Sequence, residues 1–133
     1  PFHLTTREFV QLVHDRLDPG GVVVVNVIGA VRGDGSKLLR SVYRTYRTVF
    51  PTVLVHPVSG PDAGVQNVIL VATDQAAPDT SFLLRRWRSI SAAHPLAPPL
   101  TSAIPGRYDE PLPLHDVPVL SDDYAPTDAL LVP

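Results

Sequence analysis

Five histidines, His3, His14, His56, His94 and His115, are the side chains here best suited to move protons or hold a metal near neutral pH. No two of them stand three or four residues apart, the spacing that sets two ligands on one helix face. With no cysteine in the chain, a zinc–thiolate site and a disulfide framework are both excluded. No metal ligand set is read from the sequence. His3 with Glu8, and His56 with Asp62, are the acid–base pairs that chain order allows, and their spacing does not select them over surface roles. Ser36, Ser41 and Ser59 lie in no nucleophile elbow. A second chemistry is phosphate binding. "VVVVNVIGAVRGDGSKLL", Val22 to Leu39, runs strand, glycine-rich loop, helix start. A Walker A loop needs a lysine followed by a hydroxyl, and here Ser36-Lys37 is transposed. The dinucleotide fingerprint fails as well, because Leu38 stands at its third glycine. Asp34 would set a negative charge beside any phosphate. The loop therefore reads as a helix N-terminus capped by Asp34 or Ser36.

The elements that carry these residues follow from periodicity. Thr5 and Glu8 fit a capping box, and Phe9, Leu12, Val13 and Leu17 recur at helical spacing until "DPGG" stops the helix. Val22 to Ile28 is apolar on both faces and β-branched, which predicts burial inside a parallel sheet. A second helix is expected from Ser36 to Val49. Leu39, Val42, Tyr43, Tyr46 and Phe50 mark its apolar side, and Lys37, Arg40, Arg44 and Arg47 line the opposite face. Strands are expected at Thr52 to Val58 and Asn67 to Thr73. The loop between them is too short for a crossover helix, so they should pair antiparallel. A third helix is expected over Thr80 to Ala93, with Phe82, Leu83, Trp87 and Ile90 facing inward.

Past His94 the composition shifts. Most of the 15 prolines lie there, so this part should wrap the surface as extended chain. Six of the 13 acids also lie from Asp109 onward, and the tail is acidic. The basic stripe of the second helix thus has two outlets, solvent or the acidic tail. Nucleic acid is not the expected partner: net charge is −2, and the aromatic residues beside the stripe fit the core face. No apolar run approaches the ~20 residues that span a bilayer, and no signal peptide is seen, so no membrane segment and a cytoplasmic location are expected. The start, "PFHLTTREF", without methionine, reads as a cut.

Several strings in order resemble the spermidine synthase-like (polyamine aminopropyltransferase) family. "HLTTREFVQLVHDRLDPGGVVVVNVIG" resembles the segment after its fourth strand. "FPTVLVHPV" and "QNVILVATD" resemble its closing antiparallel pair, and "SDDYAPTDALL" its C-terminal "DDYAP" string. The resemblance implies an α/β fold: the C-terminal half of a Rossmann-like, class I methyltransferase-type sheet. One parallel-type strand and an antiparallel pair would be flanked by two to three helices over residues 1–93. A Pro-rich, acidic extended tail, 94–133, would pack on them; an amphipathic Tyr beside a proline suits an ordered turn, so Tyr124 and Pro126 are read from residue type as its anchors.

The same resemblance implies a transferase that uses S-adenosylmethionine or its decarboxylated form, with a small-molecule amine or another acceptor. The cofactor loop and catalytic aspartates would lie upstream, so no catalytic residue is expected in this chain, nor tight cofactor binding, nor activity on its own. By resemblance, Pro1 and Leu4 would line the adenine pocket. Asn26 and Gln66 would face the acceptor, and Asn26 is sensibly placed near the carboxyl end of its strand. The loop "HPVSGPDAGVQ" lacks the tyrosine that packs along a polyamine in the family, which opens the choice of acceptor. The alternatives are a non-catalytic binding or dimerisation module of the same fold, and a remnant of a small-molecule methyltransferase. Loss of the fourth strand would leave an apolar edge, so a homodimer or association with the missing N-terminal half is expected.

Overall fold

A computed structural model describes residues 2–94, 100–101 and 103–131. Helix α1 spans Arg7–His14 after a single 3-10 turn at Phe2–Leu4. Its cap is Thr6, not Thr5: the Thr6 hydroxyl oxygen accepts the Phe9 amide at 3.4 Å, while the Thr5 hydroxyl donates to the Phe2 carbonyl at 2.6 Å. Glu8 does not complete a capping box with Thr5. It accepts the amide of Asp122 in the tail at 3.1 Å. Past the helix, Gly20 takes φ +81°, a conformation that costs other residues a clash at Cβ. The turn then closes with the Gly21 amide donating to Asp18 at 2.8 Å.

Three strands follow: β1 at Val22–Gly29, β2 at Thr52–Pro57 and β3 at Gln66–Thr73. Their order is β1-β3-β2, with β3 antiparallel to both. β1 and β2 are therefore parallel to each other, joined by helix α2 at Lys37–Arg47, and β3 hairpins back between them. The inner face carries Val27, Val68, Leu70, Val53 and Val55. It packs on Leu39, Val42, Tyr46 and Phe50 from α2 and its exit, and on Val10 of α1, in one core cluster.

The sequence predicted that β1 would be buried on both faces. It is not: Val22, Val24 and Ile28 point outward and are 54%, 63% and 59% exposed. β1's hydrogen-bonded neighbour is antiparallel β3, and among the described residues its other edge pairs with nothing.

Helix α3 has the expected bounds, Thr80–Ala93, and an Asp79 cap whose carboxylate accepts the Phe82 amide at 2.8 Å. Its expected burial fails. Phe82 is half-exposed, Ile90 is exposed, and Leu83 and Trp87 are only half-buried. Phe82 and Leu83 both line a cleft between α3 and the outer face of the sheet, with Val22, Leu54 and Val71, and neither enters the core cluster.

The tail has more structure than extended chain. Tyr108 donates its amide to Val55 at 2.8 Å, and a five-residue helix, α4, forms at Thr127–Leu131. Tyr124 does not anchor it: its side chain is 59% exposed, and only its backbone pairs with Ser121. Pro126 is half-buried. The buried tail residues are Val117, Leu120 and Leu130.

Candidate functional site

A cleft of about 690 Å³ opens along the unpaired edge of β1. Val25, Asn26, Val27 and Ile28 form its floor. Leu38 and Val42 of α2, Phe2 and Thr5 ahead of α1, and Thr127, Asp128 and Leu131 of α4 form its walls. Asp128 is the one ionisable side chain among these lining residues. Asn26 follows Val22 and Val24 on the outward face by the two-residue period of a strand. Its amide nitrogen donates to the Asn67 side-chain oxygen of β3 at 3.1 Å. Asn26 is thus exposed at the cleft and tethered to the neighbouring strand.

The other residues singled out by resemblance do not gather there. Leu4 is 42% exposed in the turn between Phe2 and Thr5, and it does not line the cleft. Pro1 lies outside the described residues. Gln66 braces the β2–β3 loop: its side-chain oxygen accepts the Ser59 amide at 2.6 Å, and its nitrogen donates to the Gly60 carbonyl at 2.6 Å.

The glycine-rich loop is closed on itself. Gly33 takes φ +75°, and residues Asp34–Ser36 form a 3-10 turn. The Ala30 amide donates to Gly35 at 3.0 Å, and the Ser36 hydroxyl donates to Gly33 at 2.5 Å while accepting Arg40 Nε at 2.9 Å. Neither Asp34 nor Ser36 caps α2 with its side chain. Next to the loop, Arg32 donates to Asp62 at 2.6 Å and Glu110 at 2.7 Å, and lies 5.6 Å from the Tyr108 ring centre. These contacts tie the carboxyl end of β1 to the β2–β3 loop and the tail. They raise the Arg32 pKa still further, chiefly through Glu110.

Two of the four residues of the basic stripe, Arg40 and Arg44, meet the tail, whereas Arg47 donates to the Pro51 carbonyl. Arg40 is only 5% exposed. It donates to the Pro113 carbonyl at 2.7 Å and grips Asp116 with both terminal nitrogens. Arg44 donates to the Leu114 carbonyl at 2.9 Å and to that of Val117. Thr45, fully buried, accepts the Leu120 amide at 2.9 Å. Residue spacing could show that Arg40 and Arg44 share a face, but not that the face has a lid.

The hydrogen bond from Arg40 holds the Asp116 carboxyl down to about 2. A carboxyl lowered in the folded state adds stability above its unfolded pKa of about 3.9 and loses it as pH falls through the folded value. The Arg40–Asp116 bond is therefore expected to be complete from about pH 4 upward and lost toward pH 2. Carbon-13 NMR titration of the Asp116 carboxyl checks this; a midpoint near the ordinary value would contradict it.

The acid–base pairs of the sequence reading do not form. Asp62 is taken by Arg32, and Glu8 bonds Arg7 at 2.9 Å as well as the Asp122 amide. His14 pairs instead with Asp74 at 3.1 Å, its ring edge on Phe50. His56 is half-buried beside the sheet–α3 cleft, where burial lowers its pKa. Among the described residues no cluster of three His, Asp or Glu side chains suits a metal. No described helix is long and apolar enough to cross a membrane.

No protein-family model matches this chain, and no curated protein matches it. Among solved structures it is similar to the crystal structure of a probable spermidine synthase from Corynebacterium glutamicum ATCC 13032. The TM-score is 0.53 at 27% identity, covering 64% of this chain and 32% of that one. The chain thus spans about a third of the length of the structure it matches. The fold is a mixed α/β, partial methyltransferase-like one, related to that of a transferase.

Proposed function

We propose that this chain is the C-terminal portion of a spermidine synthase-like transferase, and that the cleft beside β1 is where the rest of that transferase joins it. One observation carries the reading. β1 presents an eight-residue edge, "VVVVNVIG", with no charge, no proline and no partner among the described residues. Edges left open in folded proteins normally carry such protection. The likeness over 64% of this chain to 32% of a longer protein supports the same reading.

The entry of the chain into α1 supports a neighbour parallel to β1. Phe2 and Thr5 line the cleft together with Val25–Ile28, so the chain enters α1 beside the carboxyl half of β1. A polypeptide that reaches this point along the open edge runs parallel to β1. Helix α1 then serves as the crossover that parallel neighbours require.

The intact protein would use S-adenosylmethionine or its decarboxylated form: an amine would bond to the carbon beside the sulfonium as that carbon–sulfur bond breaks, the electron pair leaving on sulfur as a neutral thioether and the amine losing a proton. We place the loop and the acid that would hold that cofactor upstream of this chain. The one glycine-rich loop is folded on itself, and the acids near it are held by arginines. No step of transfer is therefore assigned to them. Asn26, held by Asn67, is the residue we place nearest the acceptor, while Gln66 serves the β2–β3 loop. Methyl transfer on the same fold would differ in the group that leaves the sulfonium sulfur, methyl in place of aminopropyl, as well as in the acceptor.

The test supplies the 133-residue chain, and a longer polypeptide carrying the preceding segment, with decarboxylated S-adenosylmethionine and putrescine. Turnover only by the longer polypeptide is the expected result; turnover by the short chain would overturn the reading. A second reading, a dimerisation module, rests on the same open edge. A monomer at high concentration in sedimentation would exclude it.

A further inference from the structure

The tail is held at close intervals by two elements, α2 and α1. Arg40 takes Pro113 and Asp116, Arg44 takes Leu114 and Val117, and Thr45 takes the Leu120 amide. The Arg7 amide donates to the Leu120 carbonyl at 2.8 Å, and Glu8 accepts the Asp122 amide. Only then does the chain turn at Ser121–Tyr124 and form α4, which places Thr127, Asp128 and Leu131 in the wall of the β1-edge cleft.

A helix of five residues does not hold itself, because isolated helices below about 12 residues are marginal in water. Leu130 is its one buried residue. Its position therefore depends on what fixes the chain ahead of it. Arg40 is the strongest of those fixings. A guanidinium buried this far is costly without partners, and Arg40 spends its donors on Ser36 Oγ, the Pro113 carbonyl and both Asp116 oxygens.

We propose that residues 113–131 are a strap that builds one wall of the cleft, with Arg40 as the positioning residue that locks it. The strap stands on the contacts above. Its role in receiving the rest of a transferase rests on the reading under Proposed function. Arg40 acts on the cleft through Asp116 and Pro113, and does not line it.

Amide hydrogen exchange on the full 133-residue chain tests this, comparing Asp116→Asn and Arg40→Met with the parent. The Asp116 side chain is 41% exposed, so Asp116→Asn disturbs little packing and carries the test alone should Arg40→Met fail to fold. The expected result is exchange at least ~10-fold faster across 113–131, α4 included, with β2 and β3 within about 2-fold of the parent. Three results would overturn the proposal: no change in the tail, faster exchange up to Leu120 but not in 127–131, or equal acceleration of tail and sheet. None of these depends on turnover, so failure of the strap and failure of the transferase reading are told apart.

Discussion

Leu70→Ala is expected to destabilise the chain by about 2–5 kcal/mol, the range for truncating a buried leucine whose cavity only partly collapses. Leu70 sits on the central strand, fully buried, abreast of Val25 on β1 and Val55 on β2. Both neighbours are fixed by backbone ladders, so neither can move in to fill the space. A domain of this size has roughly 5–15 kcal/mol in total, and this one change takes a large share. Val24→Ala provides the control. Val24 lies on β1 but faces outward at 63% exposure, and its loss is expected to cost about 0.5 kcal/mol or less. Urea unfolding of both variants checks the pair: the Leu70→Ala midpoint should fall sharply at unchanged slope. Equal small shifts would mean that the sheet is packed on its other face.

The elements were readable from the sequence because their signals are local. Apolar, β-branched composition placed β1, the short β2–β3 loop fixed the antiparallel pairing of β2 and β3, and apolar spacing placed α3. The apolar side of α2 is also as periodicity predicts, with Leu39, Val42, Tyr46 and Phe50 all in the core. What could not be read depends on contacts between distant residues. Arg40 and Asp116 are 76 residues apart, and no spacing rule links them. Thr5 and Thr6 are equally good caps by type, and the backbone of Phe2 takes Thr5 away. The exposure of β1 was legible only in part. Its apolar, β-branched composition predicts cover on both faces, whereas the described residues leave its outer face and one edge open. Asn26 could be placed at a ligand-facing end; its tether to Asn67 could not. The resemblance supplied Gln66 as a contact for the acceptor, and geometry gives it a bracing role in a loop.

The open edge of β1 carries the second large prediction. Backbone amides that β3 does not take have no partner in this chain among the described residues, whereas a parallel neighbour would take them into a ladder. Amides in open edges exchange through small local fluctuations, and amides inside a sheet wait for much larger openings. The difference here should be on the order of a thousandfold. Self-pairing of two copies would instead make protection rise with protein concentration. The most direct measurement is amide hydrogen exchange across Val22–Gly29, made on the 133-residue chain and on a longer polypeptide that carries the segment preceding Phe2. The account predicts fast exchange of the outer-edge amides in the first, independent of concentration, and strong protection in the second. Equal exchange in both would contradict it.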